Sequence, residues 1–421
     1  MTGSRGRSSI AACGCDGALG RGGERRTARR ERPTAQGRSG RDGEVGMTIP
    51  VFRPSYGEEE FQAVREVMAS GWVGLGPKTA EFEQRFAEYL GVRHAVALNS
   101  GTAALHLAMM AAGVEGKEVV TTPLTFVSTN HAILYVGGKP VFADVEAATG
   151  NIDPESVRKQ ITKKTRAIVC VHYGGRPCKM EALELLAKEH NLVLIEDAAH
   201  GCGGEYRGRK LGAIGSLGCF SFHAVKNLAT GEGGMLVTND EATAARLRKL
   251  RWLGISKDTW SREDQKHYSW YYTVEELGFK YHMNDIPAAI GLVQLARLDE
   301  MNARRAAWAR RYDEALADLA WIDRPIAEPN TKPSWHNYAI QTDQRDDLNA
   351  YLADRDISTG VHYLPNNHYP MYKTCKGPTP VCDRIWKRLL TLPLYPDLTE
   401  EDFGRIVTGI REFGRSKGLN A

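Results

Sequence analysis

The chain has 421 residues, 42% hydrophobic and 25% charged, and a formal net charge of +4, a composition that fits a globular protein of two or three domains. No apolar run approaches the roughly 18 residues of a membrane span. The charge is uneven: residues 1–46 carry ten arginines against five acidic residues, which leaves the rest of the chain at −1 and gives a nucleic acid little to hold.

The eight cysteines are scattered, with no C-x-x-C pair and no His/Cys cluster at zinc spacing. That pattern argues against a metal site or a disulfide framework and for reduced thiols in the cytoplasm. The Gly- and Arg-rich first 46 residues read as a disordered basic tail. Met47 opens MTIPVFRPSYGEEE as a natural start would; a tail that docks on an acidic partner is the alternative.

From Tyr56 to Ser70 the spacing predicts a helix with Phe61, Val64, Val67 and Met68 on one side. The loop Gly71–Pro77 lacks the G-K-[ST] order of a nucleotide loop. A helix follows over Thr79–Leu90, then a strand over His94–Leu98 and a helix over Ala103–Ala112. Strands are expected at Glu118–Thr122, Val141–Val145 and Ala167–Val171, with helices after Phe126, after an Asp153 cap with Pro154, and over Lys179–Glu189. Helices are also expected at Glu241–Trp252, Asp285–Leu316 and Glu400–Phe413, with strands at Tyr338–Gln341 and Gly360–Tyr363. The alternation predicts a doubly wound, mostly parallel α/β domain over residues 47–316 and a smaller α+β domain over 317–421.

The stretch from Leu192 to Gly234 organises the rest. Leu192–Ile195 is a short apolar run suited to a strand buried on both faces, so Asp197 falls at its carboxyl end, where open α/β sheets collect ligands. Cys219–Phe222 forms a second strand, and Lys226 lies in the turn before Gly231, Gly233 and Gly234. Upstream, Asn99-Ser100-Gly101-Thr102 opens a helix, and the main-chain N–H groups of Thr102 and Ala103 offer a phosphate site there. An acid, an amine and an anion site together match pyridoxal 5'-phosphate (PLP): a Schiff-base lysine, a partner for the pyridine nitrogen and a phosphate cradle. Alone, Asp197 would read as a helix cap and Lys226 as a surface charge.

The motifs NSGTAALHLA, TTPLTFVSTNHAI, IEDAAH, SFHAVKNLATGEGG and GFKYHMNDIPAAIG occur in order. Together they resemble the DegT/StrS family of PLP-dependent nucleotide-sugar aminotransferases, from about Ile49 almost to the end. The resemblance implies a fold-type I PLP-dependent transferase in which Lys226 is Schiff base and general base and Asp197 holds the ring nitrogen. It also implies that Ser221 binds phosphate, that Phe126 stacks on the ring and that His200 stands near the ring or its phenolic oxygen. An ordinary helix-start histidine is the rival reading for His200. Lys280 stands where many relatives have an Asn that reaches the neighbouring subunit's cofactor; if that contact is kept, the enzyme is a homodimer with shared active sites. His362, Tyr363 and Tyr395 match motifs near the substrate, with plain packing as the rival. The implied reaction moves an amino group from glutamate to a nucleotide-linked keto-sugar, with a 4-amino-4,6-dideoxy sugar as the expected product and 3-keto sugars or a keto-cyclitol as the alternatives. A dehydratase on this fold resembles a variant with His at the lysine position; a non-catalytic regulator is a further rival, and no G-x-G-x-x-G turn supports a dinucleotide oxidoreductase.

Overall fold

The computed structural model describes residues 48–256 and 272–419; the expected tail, residues 1–46, lies outside them. Seven strands form the central sheet: β1 (His94–Leu98), β2 (Glu118–Thr121), β3 (Lys139–Phe142), β4 (Thr165–Val171), β5 (Val193–Asp197), β6 (Leu217–Ser221) and β7 (Gly234–Thr238). Their spatial order is β1-β7-β6-β5-β4-β2-β3. All run parallel except β7, which pairs antiparallel with both β1 and β6.

Side-chain alternation puts helices on both faces. Val96, Leu98, Val169 and Leu236 pack with the helix Gly101–Ala112 and with Leu247 and Leu250 on one side. Ala95, Ala97, Phe220 and Val237 turn to the other, against Phe82, Phe86 and the long helix Asp285–Ala315. Strand β3 starts two residues earlier than the sequence predicts and holds Pro140. The sheet edge tolerates a residue that cannot donate a ladder hydrogen bond.

Near the C-terminus, strands Tyr338–Gln341 and Leu389–Leu392 pair antiparallel, and helices Arg345–Ala353 and Glu400–Ser416 pack on them. Their core takes in Ala309 and Tyr312 of the long helix and Ile49 from the start of the described chain. The strand expected at Gly360–Tyr363 does not form; only a single bridge joins Gly360 to Thr391. Of the four apolar positions grouped on the first helix (Glu58–Ser70), only Val67 is buried, while Phe61 and Met68 are exposed. Strand β7 is not expected from the sequence because Gly233 and its first residue, Gly234, read as the end of a turn.

Candidate active site

Three of these elements end at one edge of the sheet. Beyond β1, Ser100 caps the helix Gly101–Ala112, with Ala103 N–H donating to Ser100 Oγ (3.1 Å). Across from it stands Ser221, the last residue of β6. A Cβ on Gly101 would lie 2.8 Å from Ser221 Cβ, and one on Gly234 would lie 2.3 Å from Ser100 O. Only glycine lets these backbones close so tightly. The result is a helix N-terminus and a hydroxyl facing one point, a ready anion cradle.

Asp197, the last residue of β5, is buried. Thr129 Oγ1 donates to its Oδ2 (2.7 Å) and Ala199 N–H to its Oδ1 (3.1 Å). Burial pushes the carboxyl's pKa up, while those donors and the Lys226 charge pull it back. Lys226 sits in the turn after β6, its N–H bonded to His223 O. Desolvation brings its pKa down to about 8, opposed by Asp197. About one such amine in ten is then neutral at pH 7, against fewer than roughly one in a thousand for an ordinary lysine.

The cavity between these groups measures about 450 Å³. Thr102, Ser221, Asp197 and Lys226 line it, as do Phe126, His200, His362 and Tyr363. Phe126, at the N-terminal end of its helix, is 59% exposed and sits 5.9 Å from the Tyr363 ring. His200 is buried, accepts at Nδ1 from Gly174 N–H (3.4 Å) and meets Tyr363 Oη through Nε2 (3.1 Å). That pattern assigns the His200 proton to Nε2. Burial, then the Lys226 charge, holds its pKa well below the usual value, so the ring is neutral. His362 is likewise lowered, to about 4, and its Nδ1 lies 2.9 Å from Thr391 Oγ1.

Three anticipated residues are not on this wall. Ala103 is buried behind the helix start with its N–H committed to Ser100. Lys280 holds its Nζ 3.5 Å from the centre of the Trp252 ring. Tyr395 is packed in the C-terminal core with Tyr312. The cavity also recruits residues that no sequence motif singled out. His336 stacks between Phe52 (5.1 Å) and His200 (4.2 Å). Its Nδ1 meets Asn227 Oδ1, while Asn227 Nδ2 donates to Asn302 and to Ser334 O, so His336 keeps its proton on Nδ1 and a lone pair on Nε2. The SWHNY segment around it was the available signal. Phe52 gave none that local pattern reading uses.

A family model for DegT/DnrJ/EryC1/StrS aminotransferases matches residues 54–411. The chain belongs to that family. It is 42% identical to the spore coat polysaccharide biosynthesis protein SpsC of Bacillus subtilis, over 86% of this chain and 96% of that one. Its fold matches the aminotransferase TlmJ from Streptoalloteichus hindustanus at TM-score 0.83 and 36% identity, covering 88% of this chain and all of the other. The PLP form of Spr1654 from Streptococcus pneumoniae matches at TM-score 0.80 and 29% identity, covering 88% and 99%. This sugar aminotransferase is therefore a PLP-dependent transaminase, and its cavity suits that coenzyme. The glycine-lined cradle would meet a phosphate, the buried carboxylate a ring nitrogen, and the partly neutral amine an aldehyde. Among the described residues no helix is long and apolar enough to cross a membrane, and no cluster suits a metal ion.

Proposed function

We propose that this sugar aminotransferase transfers an amino group from glutamate to a nucleotide-linked 4-keto-6-deoxy sugar, giving a 4-amino-4,6-dideoxy sugar. The observation that carries the amino transfer is Lys226 opening on the same cavity as the buried Asp197 and a helix N-terminus; the choice of a 4-keto-6-deoxy sugar follows the IEDAAH and SFHAVKN motifs. Bound PLP supplies an aldehyde that takes up the amino group and a ring that takes up electrons. Lys226 Nζ is the attachment point and, once released, the base that moves a proton at the reacting carbon. Asp197 carries negative charge against the ring nitrogen. Ser221 and the N–H groups at the start of the helix Gly101–Ala112 would hold the phosphate, and Phe126 would cover one face of the ring.

His200, with its proton on Nε2, orients Tyr363 and would pack near the bound ring. His362 and Tyr363 bound the side left for the sugar, where neutral imidazoles suit hydroxyl groups better than charges would. A homodimer with shared sites is part of the reading. Phe61, Met68, Tyr135 and Leu277 are exposed and would be available to such an interface. Lys280, turned from this chain's cavity, would then serve the partner's. The six described cysteines are unpaired, in keeping with the cytoplasm.

A panel of nucleotide-linked 3-keto and 4-keto sugars, each incubated with glutamate and holoenzyme and scored for amine product, tests the substrate. Product from the 4-keto-6-deoxy member supports the reading, and product from a 3-keto sugar alone refutes it.

A further inference from the structure

Asp197 is held by a second hydroxyl beyond its immediate neighbour. Thr129 has one hydroxyl proton, and a carboxylate oxygen 2.7 Å away claims it. Thr125 Oγ1 lies 2.8 Å from Thr129 Oγ1. With the Thr129 proton committed, Thr125 must be the donor in that contact. The two therefore form a one-way chain, Thr125 to Thr129 to Asp197 Oδ2, and each bond polarises the next. Thr129 is 1% exposed and Thr125 2%, so water does not substitute for either.

The helix Val127–Tyr135 starts between the two threonines, so its first turn fixes their spacing. Thr125 is also tied at its carbonyl by Asn366 Nδ2 (2.8 Å), and it reaches the cavity wall. Asp197 Oδ1 takes the Ala199 N–H. Each oxygen keeps one further lone pair, so the carboxylate is aimed, solvated by the protein and still open to one more donor from the cavity.

We propose that Thr129, backed by Thr125, is a positioning residue that keeps Asp197 ionised and aimed at the coenzyme's ring nitrogen. Without the hydroxyl, a carboxylate in so dry a place becomes the better proton holder and takes the proton that the ring needs. The inference rests on the role given to Asp197 above.

The test uses purified holoenzyme of Thr129→Val, Thr129→Ser, Thr125→Val and Asp197→Asn. Two readouts are taken, the dissociation constant for PLP and the pH midpoint of the bound coenzyme's visible absorbance. Thr129→Val is expected to weaken PLP binding about tenfold and move the midpoint by about one pH unit, the smaller end of the worth of a hydrogen bond to a charge. Thr129→Ser should restore both, which a packing role for the methyl group would not predict. Thr125→Val should move both in the same direction by about two- to threefold, and it decides the matter if Thr129→Val fails to fold. An Asp197→Asn variant that leaves both readouts unchanged overturns the Asp197 reading itself. If Asp197→Asn alters them while Thr129→Val or Thr125→Val does not, only the hydroxyl chain is wrong.

Discussion

Replacing Gly101 by alanine should open the phosphate cradle without disturbing the rest of the fold. The new methyl group would stand 2.8 Å from Ser221 Cβ and 3.2 Å from Ser221 Cα. Carbon atoms pack at about 3.5–4.0 Å, so the helix start and β6 must part by roughly 0.7–1.2 Å. The second of those atoms is backbone and has no rotamer to turn away. Forcing a methyl into so tight a contact costs about 1–3 kcal/mol, or roughly a five- to 150-fold change in an equilibrium constant. The helix start borders the cavity and can shift towards it, so much of that cost should appear as lost affinity for the phosphate. Gly404→Ala is the matched control: it lies in the helix Glu400–Ser416, and nothing stands within 4 Å of its added Cβ. Fluorescence titration of the apoproteins with PLP reads the outcome. Gly101→Ala should bind at least about fivefold more weakly, and Gly404→Ala should match the wild type. A Gly101→Ala protein that folds and binds PLP within about twofold of wild type would refute the cradle.

The lowered pKa of Lys226 sets a pH profile for coenzyme capture. Only the neutral amine attacks an aldehyde, so the rate for apoprotein should climb about tenfold per pH unit to about pH 8 and then level off. Stopped-flow absorbance measures it, and a rate still climbing towards the usual lysine value of about 10.4 would mean the amine is not desolvated. Glu196, beside Asp197, accepts from the N–H groups of Gly212, Ile214 and Gly215 and lies 3.0 Å from His172 Nε2. Glu196→Ala leaves those buried donors unpaired, each costing about 1–3 kcal/mol. Urea unfolding should show a loss of about 3 kcal/mol or more, and a loss below about 1 kcal/mol would show that water satisfies them.

Much of the site was legible because its chemistry sits on short local patterns. Asp197 ends an apolar run, Lys226 follows a strand, and Ser100-Gly101-Thr102 opens a helix; each could be read within ten residues. The sheet brought them together as parallel strands must, with their carboxyl ends on one edge. What stayed hidden depends on contacts distant in sequence. Thr129 meets Asp197 across 68 positions and His336 meets Asn227 across 109, and neither pairing can be read from the local stretch that holds one partner. Gly360–Tyr363 misled for the opposite reason. Its Val, His and Tyr read as a short strand, but the adjacent His362 and Tyr363 both line the cavity, which a regular strand would not allow, and only Gly360 bridges to Thr391. Tyr395 misled similarly: its apolar surroundings serve the C-terminal core.

The central claim is a covalent bond between the coenzyme and one amine, and borohydride reduction of the holoenzyme followed by peptide mapping reads it directly. The account predicts a single pyridoxyl-modified peptide, with the label on Lys226 and none in Lys226→Ala. Label on another lysine, or a wild-type protein that binds PLP but cannot be trapped, would contradict it.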